Sequence, residues 1–325
     1  MIFKHLLGTL FLLSICSSHV NAAQNDAEMS SAQQLARGEE YYLADNYDQA
    51  RHWFQLAAEQ GIASAQFLLG TMYDSGKGFP QDYAQARHWW EQAAVQGHAS
   101  AQFNLGTLYD NGHGVPQDYA QARYWYEQAA AQRHANAQYN LGILYTSGEG
   151  VRQDYAQARH WYEQAATQGH PVAQYNLGVQ YHNGFGVRQD YAQARHWYEQ
   201  AAAQGHAYAE YNLGVLYEYG QGVPKDYAQA RQWYEQAAAQ RHASAQYNLG
   251  ILYTNGLGVR QDYAQARYWY ELAAAQGHAQ AQYNLGVMYE NGFGVRQSLA
   301  AAKEWFGNAC DSGYQGGCDS YRKMN

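Results

Sequence analysis

Small and apolar residues recur along this chain with helical spacing, interrupted at regular intervals by glycine. From Ala99 to Tyr109, residues Ala101, Leu105 and Leu108 fall at i, i+4 and i+7, one stripe of an α-helix. The segment Asp110-Asn111-Gly112-His113-Gly114-Val115-Pro116 follows. Two glycines and a proline make it a loop, and Asn-Gly suits the left-handed turn that ends a helix. A second helix is predicted from Asp118, which with Gln121 forms a capping-box-like start. Tyr119, Ala122, Tyr126 and Ala129 share its apolar face, with Trp125 at the edge.

The same pattern returns with a fixed period. Trp53, Trp89, Trp125, Trp161, Trp197, Trp233, Trp269 and Trp305 are each 36 residues apart, and so are Gly70, Gly106, Gly142, Gly178, Gly214, Gly250 and Gly286. Seven copies begin near Ala63, Ala99, Ala135, Pro171, Ala207, Ala243 and Ala279 and fill residues 63–314. Neither helix of a copy can bury its apolar face alone, so the copies must stack. The expected fold is all-α: a right-handed α/α superhelical solenoid of about eight helix pairs. A glycine inside each first helix costs about 1 kcal/mol relative to alanine. Its return in seven copies predicts close passage of a neighbouring helix, with an aromatic ring as one candidate for the contact.

The ends depart from the pattern, as capping units do. Residues 23–62 read as a degenerate N-terminal capping pair whose turn is Asp45-Asn46. At the other end Ala302, Trp305 and Phe306 remain of the last second helix, and 315–325 read as a C-terminal cap. Before the repeats, Met1 to Ala22 has a basic start, an apolar run from Leu6 to Ile15 and small residues at Val20 and Ala22, which predicts a signal peptide cut after Ala22. Leu13-Ser14-Ile15-Cys16 resembles a lipoprotein processing site, but Ile15 is large where a small residue is wanted. The expected location is therefore periplasmic or secreted, with no membrane span in the mature chain.

Composition narrows the partners. The formal charge is −8, spread along the chain, which disfavours nucleic acid and anionic membrane. Once the leader is gone, Cys310 and Cys318 are the cysteines that remain, an even number in a chain bound for an oxidising compartment, and a disulfide is the natural reading.

The recurring string is Ala-x-Ala-Gln-Tyr-Asn-Leu-Gly-x-x-Tyr, then Gly-x-Gly-Val, then Asp-Tyr-Ala-x-Ala-x-x-Trp-Tyr-Glu-x-Ala-Ala. It resembles the SEL-one-like repeat (SLR) family, relatives of the tetratricopeptide repeats, over about Ala63 to Gly313 and more weakly back to Met29. The resemblance implies a scaffold for protein complexes, and exported bacterial members are implicated in envelope interactions and host contact. In a cysteine-rich branch of the family, a Cys late in a second helix pairs with one in the following first helix, seven residues between. Cys310 and Cys318 keep that spacing, in the final unit only. Some members of that branch are penicillin-binding, so a β-lactamase or other cell-wall-active enzyme is the alternative to a binding scaffold, and a passive spacer is a third.

Candidate chemistry is sparse. His98, His134, His170, His206, His242 and His278 open the first helices. Stacked helices stand about 10 Å apart, whereas zinc ligands lie about 2 Å from their metal. They read as polar residues at helix entrances, and no metal or cofactor is expected. Ser64, Ser100 and Ser244 lack a nucleophile motif, the Gly-x-Gly loops lack the strand context of a dinucleotide site, and pairs such as Arg123 and Glu127 read as helix-face ion pairs. No catalytic residue is assigned.

For binding, Asn104, Asn140, Asn176, Asn212, Asn248 and Asn284 form a row whose carboxamides suit the backbone of an extended peptide, or tie each helix to a neighbouring backbone group. Specificity is expected where the copies differ. One variable position lies between the loop glycines, one follows the residue opening the first helix, and one follows the helix Tyr (Asp74, Asp110, Thr146, His182, Glu218, Thr254, Glu290). Phe185, Tyr208, Tyr219, Leu257 and Phe293 are expected to put apolar groups on a surface that docks a protein or peptide, with the concave face the expected location. Oligomeric state is not legible.

Overall fold

The computed structural model describes residues 29–324. The leader, its cleavage point and Cys16 lie outside the described residues. The described chain contains helices and no strand: α1 (Ser31–Leu43), α2 (Tyr47–Glu59), α3 (Ala63–Ser75), α4 (Tyr83–Val95), α5 (Ala99–Asn111), α6 (Tyr119–Ala131), α7 (Ala135–Ser147), α8 (Tyr155–Thr167), α9 (Pro171–Asn183), α10 (Tyr191–Ala202), α11 (Ala207–Tyr219), α12 (Tyr227–Ala239), α13 (Ala243–Asn255), α14 (Tyr263–Ala274), α15 (Ala279–Asn291), α16 (Leu299–Asp311) and α17 (Gln315–Lys323). None is long and apolar enough to cross a membrane. The chain divides into two compact units, the first ending at Gln153 and the second beginning at Asp154.

Helix starts follow from side-chain acceptors. The second helix of a copy opens on an Asp whose carboxylate takes two backbone amides: Asp118 accepts from Ala120 and Gln121 at 2.9 and 3.1 Å. The reciprocal glutamine arm expected at Gln121 does not accompany it; Ser30 with Gln33 forms a complete capping box instead. First helices open on histidine. Nδ1 of His98, His134, His170, His206, His242 and His278 accepts the amide three residues on, at 3.2–3.3 Å. Ser298 opens the last second helix in the same way, bonding Ala301 N.

The two loop glycines do different work. Gly112 ends α5 at φ 70°, a left-handed cap that favours glycine. Gly114, also at positive φ, packs on the second helix of the preceding copy: a Cβ there would stand 2.5 Å from Tyr83 Cβ.

The core lies between copies. In the second unit, Ala194, Tyr198, Ala201 and Ala202 of α10 bury against Ala209, Leu213 and Leu216 of α11, and the same set recurs from α12 to α13 and from α14 to α15. The first unit repeats it from α2 to α3 and from α4 to α5. Alanine at these seams lets helices approach closely. The helical glycine goes further: a Cβ on Gly106, Gly178, Gly214, Gly250 or Gly286 would stand 2.3–2.6 Å from the ring of Tyr126, Tyr198, Tyr234, Tyr270 or Phe306, and one on Gly70 would meet Trp90 at 2.6 Å. The aromatic neighbour expected from the sequence is thus the second helix of the same copy.

A buried glutamine spine links the copies. Gln66, Gln102, Gln138, Gln174, Gln246 and Gln282 each donate Nε2 to the carbonyl eight residues earlier, on the preceding second helix. Glu210 holds the equivalent place on α11, buried, and its carboxylate accepts from Gln240 at 2.8 Å. Burial raises its pKa. At the far end Cys310 and Cys318 are joined as a disulfide, Cα–Cα 4.5 Å, tying α16 to the short α17.

Candidate protein-interaction surface

The first helices carry the polar and aromatic groups singled out from the sequence. Their fifth residues form stacked pairs with the histidine that opens the next copy: Phe67 with His98, Phe103 with His134, Tyr175 with His206, Tyr211 with His242 and Tyr247 with His278, ring centroids 4.5–4.8 Å apart. At the end Tyr314 replaces the histidine and meets Tyr283 edge-on. The imidazoles are therefore committed to capping and stacking. Burial lowers the pKa of each of the six, which keeps Nδ1 free to accept.

Asn104, Asn140, Asn176, Asn212, Asn248 and Asn284 are half-buried. Four of the row stand beside tyrosine hydroxyls of the preceding copy and lower the pKa of those phenols. Asn140 engages the Tyr126 hydroxyl, Asn212 those of Tyr175 and Tyr198, Asn248 those of Tyr211 and Tyr234, and Asn284 those of Tyr247 and Tyr270. Those hydroxyls also reach the variable residue after the helix Tyr: Tyr126 donates to Asp110 at 3.0 Å, Tyr234 to Glu218, and Tyr270 pairs with Thr254 at 3.2 Å. Burial is the main reason the phenol of Tyr270 is pushed up to about 12, and it raises those of Tyr126, Tyr198 and Tyr234 as well.

Between successive first helices this arrangement leaves a recess. One, of about 230 Å³, is lined by Asp74, Trp90, Asn104, Thr107, Leu108, Asn111 and His113. Another, in the second unit, is about 350 Å³ and is walled mainly by Tyr247, Ile251, Tyr263, Tyr270, Val287, Met288 and Phe293, with Thr254, Asn255 and Asn284 as its polar groups. The register is the same in both, so the variable residues decide whether a recess is polar or apolar.

Four of the five apolar residues expected at the surface are exposed: Phe185 (43%), Tyr208 (58%), Tyr219 (64%) and Phe293 (41%). Phe185 stacks on Tyr155, and Phe293 on Tyr263. Leu257 departs from expectation: it is half-buried against the Ala230–Leu252 core, because a branched aliphatic side chain in this loop folds inward where Phe stacks outward on a tyrosine. The exposed residues do not form one patch. Tyr208 sits at the start of α11 beside His242, whereas Tyr219 ends that helix and Phe185 and Phe293 lie in the loops.

The Asp74 recess was missed in the sequence. Its signal was present, since Trp90 stands where Tyr126, Tyr198, Tyr234 and Tyr270 stand in other copies, but the consequence is visible only when α3, α4 and α5 are packed.

Comparison with known proteins agrees with the repeat unit described above. The family model for the Sel1 repeat matches residues 35–62, 63–98, 99–134, 135–170, 171–206, 207–242, 243–278 and 279–314, so an eighth match falls on part of the degenerate first pair. Among solved structures, the chain is similar to c5321, a protective antigen of uropathogenic Escherichia coli strains that displays an SLR fold: 35% identity, TM-score 0.88, 93% of this chain covered. It spans 66% of that protein's length. A Sel1 repeat protein from Oxalobacter formigenes is 32% identical at TM-score 0.75, with 94% of this chain and 90% of that one covered. No protein with a curated description matches. Sel1 repeats generally mediate protein–protein interaction. With the period, the two-glycine loop, the helical glycine seated on a ring and these matches over nearly all of the repeats, the chain belongs to the Sel1 repeat family.

Proposed function

We propose that this protein is an exported adaptor that docks a protein or peptide on the surface carried by its first helices. The observation that carries the reading is the exposure of Tyr208 and Tyr219 at the two ends of α11, with Phe185 and Phe293 exposed in the loops. Rigid aromatic side chains bring large contact area at little entropic cost, and Tyr is enriched among interface residues that dominate affinity. The Cys310–Cys318 disulfide and the leader expected at 1–22 support an oxidising compartment. The similar E. coli protein is a protective antigen, which supports an exported location.

Crosslinking in the native envelope, followed by identification of what is captured, tests the proposal. A Phe185→Ala/Tyr208→Ala variant is expected to fold and to lose most of the captured partner. Full-strength capture by the folded variant would refute the assignment of these residues. Purified protein is expected to hydrolyse nitrocefin no faster than buffer, and turnover that disappears on mutating one polar surface residue would favour an enzyme instead.

A further inference from the structure

We infer that the recess beside Asp74 is a socket for an arginine side chain of the partner polypeptide. The inference rests on the adaptor reading and adds the chemistry of one contact. One polar group there lacks the partner its counterparts have. At the equivalent position Asp110 is held by the Tyr126 hydroxyl and Glu218 by that of Tyr234. The tyrosine's place opposite Asp74 is taken by Trp90, whose indole N–H is already given to the Phe67 carbonyl at 3.2 Å. Among the described residues no hydrogen bond or ion pair reaches the Asp74 carboxylate, and Asn104 lines the same recess. Tryptophan in place of tyrosine thus leaves a carboxylate without a hydroxyl partner in a cavity that Asn104 also lines.

The cavity is matched to a guanidinium. The Thr107 hydroxyl at its wall donates to the Phe103 carbonyl at 3.2 Å and accepts from the Tyr126 hydroxyl at 3.4 Å, so the oxygens left to a ligand are those of the Asp74 carboxylate and of the Asn104 and Asn111 carboxamides. These are acceptors for a planar group with five N–H donors. The Trp90 indole is buried at 3% exposure and serves as a wall of the recess. Among the described residues no lysine or arginine lines the recess; His113 stands at its exposed rim, stacked on Tyr83. Burial raises the Asp74 pKa and His113 partly offsets it, as expected of a carboxylate that waits for a counter-charge. A volume of about 230 Å³ admits one long side chain and not a folded segment. Glu290 lies at the same register before Phe306, but the short α17 that follows brings neither Asn nor Thr to close a socket.

The test uses the full mature chain and three acetylated, amidated tripeptides: Gly-Arg-Gly, Gly-Lys-Gly and Gly-citrulline-Gly, in which the last keeps the shape without the charge. Binding is read from the NMR shifts of the Asn104 and Asn111 side-chain amides and the Thr107 amide. The arginine peptide is expected to saturate these shifts, with citrulline and lysine at least fivefold weaker and affinity falling as salt rises. Asp74→Asn is expected to weaken the arginine peptide at least fivefold while its melting temperature holds or rises. Trp90→Tyr restores the hydroxyl present in other copies and is expected to close the socket in a folded protein. Equal binding of citrulline or lysine, undiminished binding to Asp74→Asn, or shifts that map elsewhere would overturn the inference. Partner capture in the envelope is scored separately, so the socket can fail while the adaptor reading stands.

Discussion

Gly214 sits inside α11 with no conformational need for glycine, and replacing it with alanine separates two opposed effects. On an isolated helix the change stabilises by about 1 kcal/mol. Here the new Cβ would lie 2.4 Å from Tyr234 Cε1 and 2.5 Å from Cδ1. Ordinary carbon contacts begin near 3.5 Å, so ring or helix must retreat by about 1 Å. Neither is free to do so. Tyr234 is fully buried among Ala237, Ala238, Leu249 and Leu252, and its hydroxyl is tied to Glu218. Overpacking of this kind costs about 1–3 kcal/mol, and the tethered ring places the cost at the upper end. A net loss of about 2 kcal/mol follows, the reverse of what propensity gives. Repeat arrays depart from two-state unfolding, so the assay is native-state hydrogen exchange, read at amides of α11, α12 and α13. A companion Tyr234→Ala background removes the clash, and there Gly214→Ala should stabilise by about 1 kcal/mol. If Gly214→Ala is neutral or stabilising with Tyr234 in place, the steric account of the repeated glycine is wrong.

Glu210→Gln restores the amide donor of the spine toward the Ala202 carbonyl and should stabilise by about 1 kcal/mol at pH 7, measured by urea titration. Because burial raises the Glu210 pKa, wild type recovers part of this difference as pH falls and the carboxyl protonates, so a gain that persists undiminished at pH 4 would contradict the assignment. The six capping histidines act in the other direction. Their folded pKa values are lowered by burial, so their contribution is complete above the ordinary value of 6.5 and is lost as pH falls below it. Asp74, Asp110 and Glu210 shift upward but from 3.8–4.5, so a melt series should show stability declining as pH falls below 6.5, and a flat profile there would remove the caps from the account. Reducing the Cys310–Cys318 bridge, eight residues apart, should cost about 2.5 kcal/mol by loop closure and should free the amides of α17 for exchange before those of α16. Unchanged exchange after reduction would show that Gly317 packing against Ala309 holds the helix unaided.

Much of this molecule was legible without coordinates because its information is local and repeated. The period, the helix faces, the loop glycines and the capping Asp each follow from spacing or from backbone conformation, and both are properties of a few consecutive residues. Even the need for glycine at Gly106 or Gly178 was readable, since a residue unfavourable to helix does not recur by propensity. What the string of residues does not encode is which side chains from different copies meet. By sequence the Asn row suits a bound peptide or a neighbouring backbone group; packing sets tyrosine hydroxyls of the preceding copy beside four of its members. Leu257 was read as exposed, but tertiary contact turned it inward. Asp74 looked like one variable residue among seven. Only the packing of α3, α4 and α5 shows that Trp90 removes the hydroxyl that would have satisfied it, because hydrogen-bond satisfaction belongs to groups brought together in space and not to any one of them in sequence.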